Sequence, residues 1–232
     1  MNEVYTLKEF YKKHRGKKHI IFICDHASNY IPKQLKNLGL SVSDLKSHIT
    51  WDIGAKELSI GIARKLKQSC FLSNFSRLLI DPNRSEHSSE IIMKESCGIK
   101  IPGNKILNAT EKKKRLTKFY YPYHKYLGDY INKKIDNQKQ ISLVSIHSFT
   151  KNYQRINRGA KIGLLWNKNM NMMLSLQRQL LEKKISFARN YPYSGFFYNY
   201  TLDRHSQNGL LNNICIEIRN DLLCNKKRIN KY

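Results

Sequence analysis

The stretch "ISLVSIHSFTKN", residues 141–152, decides how the rest of the sequence is read. Its first half is a run of aliphatic and β-branched residues with the composition of a buried strand. The run then drives straight into His147, a titratable and metal-capable side chain. Other runs share its character: "HIIFIC" (19–24), "CFLSN" (70–74), "RLLID" (77–81), "KIGLLW" (161–166) and "NICIEI" (213–218). Between them lie segments of helical pattern. "DIGAKELSIGIARKLKQ" (52–68) sets Ile53, Leu58, Ile62 and Leu66 near helical spacing, and "NMMLSLQRQLLEKK" (171–184) reads as another helix. A longer helical pattern, residues 109–136, is interrupted by Pro122. Apolar strands alternating with helices predict a three-layer α/β/α domain, its mixed and largely parallel sheet covered on both faces. One such domain over residues 1–232 accounts for the chain.

Composition agrees with a chain that buries its own core. Hydrophobic residues make up 41% and the mean hydropathy is −0.58. No window approaches the roughly 18 consecutive apolar residues of a membrane span. The N-terminus, "MNEVYTLKEFYKKHRGKKH", lacks the apolar core of a secretory signal, so a cytoplasmic location and no membrane partner are expected. Cys24, Cys70, Cys97, Cys215 and Cys224 are odd in number and form no C-x-x-C pair, which favours reduced thiols. The balance of 42 basic against 17 acidic residues gives +25. Such a chain is drawn to polyanions. Yet its lysines are dispersed, densest in 111–139 and 225–231, and no nucleic-acid recognition motif accompanies them. A small-molecule partner is the expectation; the oligomeric state is left open.

In open α/β sheets ligands bind beyond the carboxyl ends of the strands. Asp25 and His26 follow "HIIFIC", His147 follows "ISLVSI", Glu217 lies within "NICIEI", and "RLLID" ends at Asp81 ahead of Pro82, Asn83 and Arg84. A single strand-end histidine is ordinarily a buried side chain satisfied by its surroundings. Four chemically capable ends on one rim are not ordinary. Two histidines and a carboxylate or amide hold Zn²⁺ with one position open, the arrangement of catalytic rather than structural zinc. Glu217 is then placed to take a proton from water, and Arg84 to stabilise a developing oxyanion. These parts sum to metal-assisted hydrolysis of an amide.

Several segments carry a resemblance. "SIHSFTKNYQ", "IEIRND" and "IDPNR" resemble the strand-end histidine, glutamate and D-x-N-R segments of zinc carboxypeptidases. The fuller match is to the N-formylglutamate amidohydrolase family: "CDHASNYIP", "HITWDIGAKELS", "SRLLIDPNRSE", "YYPYHKYL", "SIHSFT", "KIGLLWN", "NYPYSG" and "IEIRNDLL" are similar to its blocks, in its order, over roughly residues 20–223. The resemblance implies a zinc-carboxypeptidase-like fold and hydrolysis of an N-formyl or other N-acyl amide of a small acidic amino acid such as N-formylglutamate. It implies that His26 and His147 bind zinc, that Glu217 is the general base, and that Arg84 with Asn83 faces the substrate. The third zinc ligand is open. Asn29 stands where the carboxypeptidase pattern H-x-x-E has its carboxylate, and an amide is a poorer zinc ligand. Asp52 is the replacement, unless it caps the helix that follows.

His124 lies in an aromatic stripe whose plain reading is core, and the resemblance makes it a substrate-binding or neighbouring residue. Arg77 binds either a buried acid or a substrate carboxylate. Arg219, in phase with Glu217, clamps substrate or pairs with Asp221 or Asp203. Tyr193, in "PYSG", belongs to a loop over the crevice, with Asp203 and His205 as supporting partners or surface residues. His14, His19, His48 and His87 read as surface or structural. Two alternatives stand beside this function: another N-acyl-amino-acid hydrolase or small peptidase on the same scaffold, and a basic nucleic-acid-binding protein that has lost the chemistry.

Overall fold

The computed structural model describes residues 4–11, 16–137, 139–153 and 155–223. Cys224, His14 and the basic stretch 225–231 lie outside these residues. The centre is a seven-stranded sheet. Its strands are β1 (Tyr5–Glu9), β2 (Lys18–Cys24), β3 (Ser69–Ser73), β4 (Gln140–Phe149), β5 (Ile162–Leu165), β6 (Ala188–Arg189) and β7 (Asn212–Arg219). They lie in the order β1-β3-β2-β4-β7-β5-β6. The pairs β3–β2, β2–β4, β4–β7 and β5–β6 are parallel, while β1–β3 and β7–β5 are antiparallel. The sheet is therefore mixed and mostly parallel.

Both faces are covered, which is why the central strands read as unbroken apolar runs. Helix α1 (Ala55–Lys65) buries Ala55, Leu58 and Ala63 against Phe22, Cys24, Cys70, Leu72, Val144 and Ile146. Among the helices that follow are α2 (Ala109–Arg115), α3 (Tyr121–Asp136) and α4 (Asn171–Glu182). Through Met173, α4 packs on the same face as α1. On the opposite face α3 lays Tyr123, Leu127 and Ile131 over Ile21, Ile23, Phe71, Leu143 and Cys215. Since side chains alternate along a strand, His147 and Glu217 share the α3 face with Leu143 and Cys215.

Two expectations need correction. "RLLID" is not a strand: residues 77–79 form a turn, with Leu79 N bonded to Ser76 O and Leu78 N to the Ser76 hydroxyl. Leu78, Leu79 and Ile80 are fully buried all the same. The run is apolar because the turn is buried, and composition alone does not separate that from a strand. Nor does Pro122 break the long helix. The preceding turn, Leu116–Tyr120, widens to a π-helix in which Tyr121 N reaches Leu116 O, and Pro122 enters at the start of α3. The wide turn relieves the ring's clash with the preceding carbonyls, so α2 and α3 run on through it. Cys24, Cys70, Cys97 and Cys215 are free thiols. Among the described residues no helix is long and apolar enough to cross a membrane.

Candidate active site

The carboxyl ends of β2 and β4 deliver the two histidines. His26 follows β2 directly, and His147 lies near the end of β4 in register with Glu217 on β7. Parallel register puts these last two side by side on one face. Asp52 arrives from the segment before α1, anchored by its backbone N–H on His26 O at 2.9 Å. Its side chain does not cap that helix. Asp52 Oδ2 instead accepts from His147 Nδ1 at 2.9 Å and from Ser148 N at 3.2 Å, and lies 3.4 Å from His26 Nδ1. One possible ligand atom from each of His26, Asp52 and His147 lies within 4.8 Å of the other two. Asn29 turns away, donating its amide to Leu45 O at 2.8 Å.

Behind each imidazole stands a carboxylate. Asp81 Oδ1 is 2.8 Å from His26 Nε2, and Asp25 Oδ2 is 3.4 Å from His147 Nε2. Carboxylates so placed fix the tautomer and ring orientation of a metal-binding histidine. Asp81 is held in turn by Arg77 at 2.9 Å. Asp25 accepts from the hydroxyls of Tyr123 and Thr201, each at 2.9 Å, and of Ser145 at 3.3 Å. Both aspartates stand at the strand-like run ends visible in the sequence, but nothing there tied either of them to an imidazole.

The donor set fits a zinc-like divalent ion. His26 Nδ1 is buried with no hydrogen-bond partner, an expensive state for a polar atom unless something else satisfies it. Two imidazoles and one ionised carboxylate are ligands that such an ion accepts while keeping a position open. The electrostatics agree. Burial opposes ionisation of Asp52, but the His26 charge and the His147 hydrogen bond outweigh it and hold Asp52 below the usual carboxylate range. Burial likewise opposes charge on His147, yet the carboxylates of Asp25, 3.4 Å away, and Asp52, hydrogen-bonded to it, lift it to about 10. A metal bound there must displace a proton.

Glu217 differs from the other carboxylates. It is buried, its Oε2 has no hydrogen-bond partner, and burial pushes its pKa up to about 7, with the His147 charge pulling the other way. These groups floor a cleft of about 200 Å³ whose walls include Arg77, Arg84, Asn83 and Tyr193.

Other sequence-singled residues are more committed. Arg77 bridges Asp52 at 3.5 Å and Asp81 at 2.9 Å. Arg84 lies 4.8 Å over the Tyr198 ring and pairs with Glu90 at 3.1 Å; exposed pairs of that kind are weak. Asn83 spends its side chain on Tyr198 O and Thr201 N, bracing the cleft wall. His124 lies under the site: it donates from Nε2 to Pro82 O at 3.0 Å, so its Nδ1 must accept from His205 Nε2 at 3.0 Å. Burial keeps both rings neutral, lowering His124 to about 3 and His205 to about 4. Asp203 accepts from Asn167 rather than from a site residue. Arg219 is in a bidentate pair with Asp221, at 2.7 and 3.2 Å, and does not line the cleft. His48, read as surface or structural, does line it and lies 3.4 Å from Cys97 Sγ. His19 is buried on Ser69, and His87 is exposed.

Solved structures share this arrangement of elements. A gene product of Agrobacterium tumefaciens is 29% identical, with a TM-score of 0.92 over 99% of this chain and 90% of its own. An N-formylglutamate amidohydrolase from Ralstonia eutropha is 18% identical, with a TM-score of 0.68 over 95% of this chain and 87% of its own, a likeness of fold. No curated protein matches the sequence. The family model of N-formylglutamate amidohydrolase matches residues 18–224. A match of that extent, spanning every strand from β2 to β7 and all of the residues that converge on the cleft, makes the chain a member of the N-formylglutamate amidohydrolase family, a hydrolase acting on an amide.

Proposed function

We propose that this protein is a zinc-dependent amidohydrolase that removes the acyl group, formyl in the first instance, from an acidic amino acid such as glutamate. One observation carries the reading. In a chain of this family, a three-ligand focus at His26, Asp52 and His147 shares a cleft floor with an unpartnered buried carboxylate, Glu217.

A divalent ion held by those three residues would supply Lewis acidity at the amide carbonyl and lower the pKa of the attacking water. The protein's own groups do the rest. Glu217 accepts the water's proton and passes it to the departing nitrogen, and a pKa near neutrality suits both transfers. Arg84, on the cleft wall, donates to the carbonyl oxygen as negative charge develops. Asp25 and Asp81 keep the two imidazoles aimed, and Arg77 keeps Asp52 and Asp81 ionised and in place. Asn83 and the His124–His205 pair hold the 82–83 segment that forms the wall.

The test is formate release from N-formylglutamate by protein stripped with a chelator and then reloaded with zinc. Turnover should vanish on stripping and return with the metal. Turnover that survives complete removal of metal refutes the mechanism. A loaded protein that cleaves other N-acyl amino acids but not N-formylglutamate moves the substrate and keeps the chemistry.

A further inference from the structure

Arginines near the cleft divide into two groups. Arg77, Arg84 and Arg219 each have a carboxylate partner in Asp52 and Asp81, Glu90, and Asp221 respectively. Arg158 has none among the described residues, although it is only 7% exposed. Its guanidinium is enclosed by aromatic rings, 4.5 Å over Tyr153, 5.0 Å over Tyr193 and 5.8 Å over Phe149, and NH1 donates to the Tyr193 hydroxyl at 3.2 Å. Rings attract a cation, but they do not neutralise it, and a desolvated charge without a counter-ion is destabilising. All three rings line the cleft that ends at His26, Asp52, His147 and Glu217, with the Arg158 guanidinium directly behind them rather than among the lining side chains.

The rest of the structure works to keep Arg158 there. Its backbone N–H is fixed on Lys151 O at 2.7 Å, and its carbonyl accepts from Arg219 NH1 at 3.2 Å. Arg219 is thus committed to the segment that carries Arg158. Phe149 follows His147 by two residues on the same face of β4, so one wall of the cage and one side of the ligand cluster are set by a single strand.

We propose that Arg158, with the Tyr193 hydroxyl, binds a carboxylate of the anionic N-acyl amino acid that enters between the Phe149, Tyr153 and Tyr193 rings of the cleft wall. This rests on the function proposed above, which gives the substrate two carboxylates beside its amide. A planar, permanently charged fork in a dry aromatic setting is the chemistry that selects a carboxylate over a neutral side chain. The substrate's charge supplies the counter-ion that the protein withholds.

The zinc-loaded full chain should be compared with Arg158→Met, which keeps the packing, and Arg158→Lys, which keeps the charge. For N-formylglutamate, Arg158→Met should lower kcat/KM by about 10- to 100-fold, mostly through KM, as expected for losing a charge-assisted bond, with part of the loss restored in Arg158→Lys. For the neutral N-formylnorvalinamide the same variants should stay within about 3-fold of the parent, since only the charge partner has been removed. An equal loss on both substrates, or no loss on either, overturns the assignment. If the parent releases formate from neither compound, it is the proposed function that fails, and a calorimetric titration with glutarate decides Arg158 independently. Glutarate binding that is lost in Arg158→Met keeps the anion site; equal binding in both proteins, or none in the parent, overturns it.

Discussion

Replacing Glu217 by glutamine should make the metal-free protein more stable and the enzyme nearly inactive. Burial raises the Glu217 pKa from 4.5 to about 7. A carboxylate whose folded pKa is raised contributes its stability below the unfolded pKa and loses it as pH climbs through the folded one. The relevant window is therefore about pH 4.5 to pH 7 and just above. From those two values, the raised pKa costs less than about 1 kcal/mol at pH 5 and about 3 kcal/mol at pH 8, at roughly 1.4 kcal/mol per pKa unit. An amide of the same shape escapes that penalty. The advantage of Glu217→Gln in urea unfolding of metal-free protein should thus grow by about 2 kcal/mol between those pH values. In zinc-loaded protein the same variant should keep its metal and lose about 100- to 10,000-fold in turnover, the usual weight of a general base. A stability difference that does not change with pH would refute the burial argument. Loss of zinc from the variant would make Glu217 a ligand and remove the base from the mechanism.

His147→Ala should fold but fail to retain zinc, by metal analysis, and Asp52→Ala should shrink the stabilisation on adding zinc, followed as a rise in Tm and worth about 4 kcal/mol at a thousandfold excess over Kd for an intact site. Acid should weaken the fold through His124: its pKa of about 3 lies below that of an unfolded histidine, so its stabilisation is present above about pH 6.5 and about 2 kcal/mol of it is lost by pH 5. His124→Gln should remove that portion of the pH dependence in chemical denaturation, and an unchanged slope would contradict it. Arg84→Lys should cut kcat/KM for N-formylglutamate by about 10-fold or more at constant charge, because Lys lacks the planar fork, whereas Lys112, Lys113 and Lys114 changed to glutamine should leave it unaltered. Arg219→Lys should also reduce it, with a rise in KM that tracks the loosened Arg158 segment.

Much of this was legible in the sequence where local rules and tertiary placement coincide. "HIIFIC", "ISLVSI" and "NICIEI" are strands because central parallel strands are buried on both sides, and that burial leaves its mark on composition. The histidines after two of them, and Glu217 within the third, stood out for the same reason. The misreadings came where burial and backbone conformation part company. "RLLID" is as apolar as a strand but turns, because the Ser76 hydroxyl and carbonyl satisfy the backbone that a ladder would otherwise hold. Asp52 could not be separated from a helix cap by sequence, since the choice depends on where His147 lies, 95 residues away along the chain. Arg158 gave no signal at all. Its neighbours Phe149, Tyr153 and Tyr193 become a cage only after the end of β4, Tyr153 just beyond it and the 191–194 segment have met.

The position of β7 in the sheet has a consequence for how the chain is made. Among the described strands it comes last in sequence, yet it lies between β4 and β5, inside the sheet rather than at an edge. Until it arrives, two strands completed earlier present open edges where the finished protein has none, and open apolar edges recruit other chains. The residue that arrives on that closing strand is Glu217. Nascent protein consequently passes through a stage with both histidines and Asp52 already synthesised and no base beside them. Its susceptibility to misassembly should be greatest just before the chain becomes competent for hydrolysis.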